Sequence, residues 1–452
     1  MTVEPHTPAA KKARRVALAS YIGTSIEWYD FFIYGIAATL VFRTQFFPEF
    51  SELGGTLAAL GTFAVGFIAR PVGGIVMGHF GDRVGRKSML VVSLLTMGLA
   101  TTLIGLLPTY QTIGVWAPIL LVVLRLAQGA GVGGEWGGAV LMAIEHAPAN
   151  RRSLYGCFPQ LGLPSGILTS QLVFLGLTSF LPEEAFVAWG WRIAFLLSAA
   201  LVIVGLVVRI AIEESAEFAR VRSAGLVARM PVVEVFRRSW LQLLIGSLAS
   251  IAAPTLGYLV SVYLVQYGTN ELELATTTML WILVGVSVGW ILMVFIGGLA
   301  GDLLGRKKTF LIGATLAVVW AFPMFLLVDT RSIGLIVVAL IVITTANAVM
   351  AGPQPALITE MFPIRLRYSG ASICYQVGSI IGGGVVPIVA TTVFARFGTS
   401  TAVAALIAGV SAVSLLAILL ARRTVLRPAA ASESIPETAA GVQKKAEPPV
   451  FD

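Results

Sequence analysis

Apolar positions run along this chain in long, nearly unbroken stretches, separated by short breaks that hold most of its charge. Twelve such stretches can be delimited: 17–42, 54–79, 88–107, 116–146, 153–180 and 192–212, then 239–266, 274–300, 309–328, 333–360, 369–397 and 401–421. Each is near or above the roughly 20 residues a helix needs to cross about 30 Å of hydrocarbon. The longer ones are accommodated by tilt or by helix that continues beyond the lipid. The pattern predicts an all-α polytopic membrane protein with twelve transmembrane helices, spans 1 to 12. Composition agrees, with 57% hydrophobic residues and only 12% charged, about half the charged share of a soluble domain.

The first stretch is too long for the apolar core of a signal peptide, contains Glu27 and Asp30, and is therefore read as a retained helix. The net charge of +8 follows from placement, not from a nucleic-acid partner. Lys11, Lys12, Arg14 and Arg15, then Arg83, Arg86, Lys87, Arg151 and Arg152 fall on one side. So do Arg220, Arg222, Arg229, Arg237 and Arg238, and Arg306, Lys307, Lys308, Arg365 and Arg367. The other side has few, such as Arg43 and Arg331. This asymmetry predicts both termini in the cytoplasm; the expected location is a bacterial-type inner (plasma) membrane. The expected organisation is a tail at 1–16, a six-helix bundle at 17–212, a charged loop at 213–238, a second bundle at 239–421 and a disordered cytoplasmic tail at 422–452. Cys157 and Cys374 fall on the reducing side and offer neither a disulfide nor a metal-ligand set.

The two bundles echo each other. GHFGDRVGRK (Gly78 to Lys87) recurs as GLAGDLLGRKK (Gly298 to Lys308), which sets Asp82 and Asp302 220 residues apart, each after an even-numbered span. Gln160-x-Gly162-x₃-Gly166 opens span 5, and Gln376-x-Gly378-x₃-Gly382 opens span 11. Two parallel six-helix repeats with a midplane site between them fit a rocker-switch transporter. The first signature, with EWYDFFIYG in span 1, RLAQGAGVGGEWGG in span 4 and ITEMFPIRLRYSGAS after span 10, resembles the major facilitator superfamily over about residues 17–421. Within it, these motifs resemble the metabolite:proton symporter branch. That resemblance implies import of organic acids such as shikimate, 2-oxoglutarate and citrate, or of zwitterions such as proline and betaine. The second signature departs from the first where Leu303 replaces the arginine.

Asp82 is an acceptor placed to meet the N-terminus of span 11, where unsatisfied donors and partial positive charge await it. Arg83, Arg86 and Lys87 are candidates to pair with Glu145. With Gly78, Gly85 and the second-copy residues Asp302, Gly305, Arg306 and Lys307, they predict a latch across the inner ends of the halves, the role the resemblance also implies.

Buried charge is the expensive feature, since a carboxylate at a helix centre costs about 2.5–3.5 kcal/mol on insertion scales. Glu27 and Asp30 lie at i and i+3, nearly on one face. Mutual repulsion and burial suit such a pair to binding a proton; Glu135 in span 4 is the third candidate. A static ion-pair cluster with Arg70 or Arg125 is the competing reading. For a carboxylate substrate, Arg125 is the leading anchor because guanidinium grips two oxygens at once; Arg70 is either a second anchor or the partner of an acid. Tyr34, Gln128, Trp136 and Gln160 are candidates to line one wall, with Tyr375 and Gln376 on the other. Two arginines and no deep charge in the second half favour a compact monoanion, such as a shikimate-like ring acid. Import by proton symport through alternating access is the expected function, with the proton as coupling ion, no cofactor or metal, and a monomer in the bilayer. Osmolyte symport and proton-independent facilitation are the alternatives. No nucleophile–base set, metal cluster or Walker loop points to an enzyme or a primary pump.

Overall fold

The computed structural model describes residues 8–211, 231–421 and Val425. Arg220, Arg222, Arg229 and the C-terminal tail apart from Val425 lie outside the described residues. The spans become α1 (Pro8–Ala37), α2 (Glu52–Gly81), α3 (Arg86–Leu106), α4 (Trp116–His146), α5 (Ala149–Phe180) and α6 (Glu183–Ile210). The second half holds α7 (Trp240–Asn270), α8 (Thr276–Leu303), α9 (Arg306–Val328), α10 (Ile333–Thr359), α11 (Ile364–Phe397) and α12 (Ser400–Leu420). Among the described residues, 11 helices are long and apolar enough to cross a membrane. The twelfth is α1, whose hydropathy is lowered by the two carboxylates at its middle.

Two boundaries differ from the sequence expectation. The chain is already helical at Pro8, well ahead of the span expected from residue 17, because residues 8–16 are mostly Ala, Lys and Arg, which are strong helix formers. This extension docks through Ala13 and Ala17 on Tyr155. Pro231–Arg238, expected as loop, is also helical.

Several spans are broken along their length. α5 starts as Arg152–Gly156, passes a tight turn at Pro159–Leu161 and resumes at Gly162. α7 breaks around Ser250, and the freed backbone groups are met by neighbours. Ser414 Oγ donates to Leu248 O at 2.7 Å and accepts from Ala252 N at 3.1 Å, while Asn347 Nδ2 donates to Ala253 O at 2.7 Å. At membrane depth an irregular backbone survives only with such partners. A π turn at Ala38–Phe42 follows α1, and α7 and α11 each carry one, at Leu259–Tyr263 and Ile380–Val385.

The glycine-rich run in α4 has a packing cause. A Cβ on Gly133 would overlap the carbonyl oxygen of Arg70, and one on Gly73 that of Ala130. α2 and α4 therefore pack at backbone contact. Across the halves, α2 and α4 pack on α11, and by the repeat α8 packs on α5.

Candidate functional site

The seam between the halves is closed at its basic end by two mirrored latches. Asp82, capping the end of α2, accepts from Tyr368 N at 3.3 Å, Ser369 N at 3.0 Å and Ser369 Oγ at 2.8 Å. These are among the first donors of the helix Arg367–Ser379, where a carboxylate is favoured by orphan N–H groups and by the dipole. Burial pushes the Asp82 carboxyl up to about 6, against the pull of Arg86 and of the Ser369 and Tyr368 donors. In the second copy Asp302 accepts from Ser153 N and Leu154 N, both at 2.9 Å, at the start of α5. Each loop turns at a glycine in a left-handed conformation, Gly85 at φ 134° and Gly305 at φ 94°, which L side chains rarely adopt. Gly78 lets α2 approach α11, since a Cβ there would lie 3.1 Å from Ser369 Cα.

The supporting charges also repeat. Arg86 pairs with Glu145 and donates to Ile364 O at 3.3 Å. Arg306 pairs with Glu360, to which Arg152 also comes within 3.6 Å. Lys87 donates to Ile210 O at 2.7 Å, and Lys307 to Leu419 O at 3.2 Å and Ala421 O at 3.1 Å, so each lysine caps the last helix of its half. Two expected pairings with Glu145 are corrected. Lys87 makes the cap just described, and exposed Arg83 meets His79 Nε2 at 3.3 Å. Arg83 lies outside the latch contacts, which explains why Leu303 in the second copy leaves Asp302 bound.

One layer deeper, Trp136, Gln160, Tyr375 and Gln376 are brought together. The Trp136 and Tyr375 rings stack across the seam at 4.1 Å and 3°. Trp136 Nε1 donates to Gln160 Oε1 at 2.7 Å. Gln160 Nε2 reaches Ala351 O in the second half at 3.4 Å; Gln376 Nε2 reaches Gly133 O in the first at 2.7 Å. The cavity above them, lined by Trp28, Gln160, Tyr258, Asn347 and Tyr375, measures about 20 Å³, enough for roughly one water. The halves are therefore seen pressed together.

The two arginines have different surroundings. Arg70 is buried at the seam, where its Nη1 donates to Tyr258 Oη and Ser379 Oγ of the second half, both at 3.3 Å. Its guanidinium lies over Phe31 at 4.2 Å and Phe67 at 4.6 Å. Its Nε and Nη2 have no hydrogen-bond partner among the described residues. Arg125 is held inside the first half, bonded to Gln128 Oε1 and lying over Tyr34 at 4.1 Å and Phe31 at 4.7 Å. Gln128 Nε2 passes the contact on to Thr101 Oγ1 at 2.8 Å and to Asp30 O at 3.3 Å. Tyr34 Oη donates to Thr62 Oγ1 at 2.6 Å.

The three acids also separate. Both carboxyl oxygens of Asp30 and Oε2 of Glu27 are buried without a hydrogen-bond partner among the described residues. Glu135 instead pairs with Arg209 of α6 and receives Ser93 Oγ at 3.4 Å. Arg209 and Glu360 were missed in the sequence. Arg209 reads as one more positive-inside residue at a span end, whereas Glu360 follows Glu145 by 215 positions, close to the repeat offset, and could have been found. Cys157 and Cys374 are buried and free.

A family model described as Major Facilitator Superfamily matches residues 20–375 and 269–450. The chain belongs to the major facilitator superfamily. It is 42% identical over 426 residues to the inner membrane metabolite transport protein YhjE of Escherichia coli (strain K12), covering 93% of this chain and 96% of that one. It is 41% identical to the shikimate transporter of the same strain, covering 86% and 90%. With that strain's proline/betaine transporter it shares 31% identity, over 82% and 76% of the chains. Among solved structures, the proton:xylose symporter XylE bound to 6-bromo-6-deoxy-D-glucose superposes with a TM-score of 0.75 at 16% identity, covering 92% and 98%. This superfamily member is a secondary transporter with many membrane-spanning helices, not an enzyme.

Proposed function

We propose that this transporter imports a small organic monoanion, a shikimate-like ring acid, by proton symport through alternating access. It does so across an inner membrane, with both termini in the cytoplasm, and works as a monomer with the proton as coupling ion and no cofactor. The observation that carries the substrate class is Arg70. Its unpartnered Nε and Nη2 form one edge of the guanidinium, the edge that accepts a carboxylate through two parallel bonds. The same arginine already touches the second half through Tyr258 and Ser379, so a bound carboxylate would bear on both halves. Trp28, Phe31 and Phe67 around it offer faces to the body of a ring acid. Glu27 and Asp30 supply the proton-binding pair, and Arg125 with Gln128 holds the backbone beside Asp30.

Uptake into proteoliposomes tests this. An acid-outside gradient should drive accumulation of a hydroxylated cyclic monoacid, and Asp30→Asn should abolish accumulation while gradient-free exchange persists, because the amide keeps the shape without cycling a proton. Accumulation by Asp30→Asn would remove that acid from coupling. The second reading, zwitterion uptake, draws on the proline/betaine relative and on the aromatic residues, which also suit a quaternary ammonium. Preference for betaine over the ring acid in the same vesicles would establish it instead.

A further inference from the structure

Beyond the acids proposed to carry the proton, the first half contains one buried ion pair to which the transport scheme gives no part. Arg209 of α6 pairs with Glu135 of α4, and both are almost fully enclosed, at 4% and 1% exposure. Arg209 also donates to Leu90 O of α3. Its guanidinium lies on the bare surface of Gly23, where a Cβ would overlap it. Gly23 is one helical turn before Glu27, on the same face of α1. The pair thus ties α3, α4 and α6 together directly beneath the acid.

We infer that Arg209 is a positioning residue for proton coupling: it holds Glu135 as a fixed carboxylate, and the resulting charge pair sets the pH at which Glu27 takes up and releases its proton. This rests on the proton-symport reading above. The Arg209 guanidinium clamps the Glu135 carboxyl in place, so in this scheme Glu135 is one side of a fixed bridge and not the carrier. Glu27, by contrast, has an unpartnered oxygen and is free to change state. The groups that face it are Asp30 on its own helix, Arg70 on α2, Glu135 on α4, Arg209 on α6, Tyr258 on α7 and Tyr375 on α11. Of these, Glu135 and Arg209 carry opposite charges, so they bear on Glu27 with opposite sign.

The opposite signs give the test. Proton-driven uptake is measured against pH in proteoliposomes for wild type, Arg209→Gln and Glu135→Gln. Removing the cation leaves an anion near Glu27, and the pH midpoint of uptake should rise by about one unit; removing the anion should lower it by about as much. A pair that merely braces the bundle predicts loss of rate in both variants with no change of midpoint, and that result, or two shifts in the same direction, overturns the inference. Should either single variant fail to fold, the swapped pair Glu135→Arg with Arg209→Glu preserves the bridge and reverses its polarity toward Glu27. Its midpoint should move away from the wild-type value, and a wild-type midpoint would count against the inference. If wild-type uptake itself shows no pH dependence, the symport reading has failed and the role of the pair falls with it.

Discussion

In the first half, Glu27, Asp30, Arg70, Arg125, Glu135 and Arg209 are all buried in addition to the latch residues Asp82 and Arg86; among the described residues of the second half the buried polar positions are neutral, as at Asn347, Gln354 and Gln376. Yet the two halves match closely at their inner ends. Asp82 with Arg86 and Glu145 corresponds to Asp302 with Arg306 and Glu360, and Lys87 to Lys307. The repeat therefore retains what both halves need equally, an acceptor that clasps the partner's helix. What differs is the costly part, since each buried charge must be paired, hydrogen-bonded or neutralised. Concentrating those charges in one half leaves the other as a neutral wall, and deeper than the latch Arg70 is a charged group that bonds across to it.

The sharpest way to break this comparison is at Arg70. Arg70→Lys keeps the charge but loses the two-pronged edge, so affinity for the organic acid should fall about 10- to 100-fold, the range expected for charge-assisted hydrogen bonds worth roughly 1.5–3 kcal/mol. Arg125→Lys, inside the first half, should alter affinity much less. Binding measured by calorimetry on both variants decides it; a larger loss at Arg125 would move the anchor away from the seam.

These two arginines also show how far the sequence could be read. The spans, the repeat, the latch acids and the inventory of deep charges in α1, α2 and α4 follow from hydropathy and motif spacing. Which charge meets which partner does not, because it depends on helix rotation and on side chains from distant segments. Arg70 bonds to residues 188 and 309 positions away. Arg125 reads as the better anchor on depth alone, but Gln128 three residues on and the rings of Phe31, Tyr34 and Phe63 occupy it. Arg209 was invisible for a related reason, since a terminal arginine has a sufficient explanation in topology.

The latches give a smaller and more symmetric contrast. Asp82→Ala leaves three donors at a buried site without their acceptor, whereas Asp302→Ala leaves two at a partly exposed one. Unsatisfied buried donors cost about 1–3 kcal/mol each, and water can relieve the exposed ones. Net transport should fall about tenfold for Asp82→Ala and only a few-fold for Asp302→Ala, with substrate affinity little changed in both. Equal effects would mean that burial does not distinguish the two copies.

The smallest expected effect concerns the mirrored glutamines. Gln160 and Gln376 were singled out as substrate ligands, but in the closed form each gives its amide to a carbonyl of the opposite half. If these bonds act as inner clasps, Gln376→Leu should raise the inward-open fraction about fivefold, as expected for one hydrogen bond worth about 1 kcal/mol. Gln160→Leu should do about the same, since it also frees Trp136 Nε1. The readout is the distance between spin labels on Val84→Cys and Leu304→Cys, exposed positions in the two latch loops at 50% and 56%; Cys157 and Cys374, being buried, should stay unlabelled. A clasp moves the distance distribution and leaves the binding constant alone. A substrate ligand does the reverse, because the amide then matters only when the acid is present. Loss of affinity with an unchanged distance distribution would return both glutamines to the substrate site, and would make the seam below Arg70 part of the binding pocket instead of its floor.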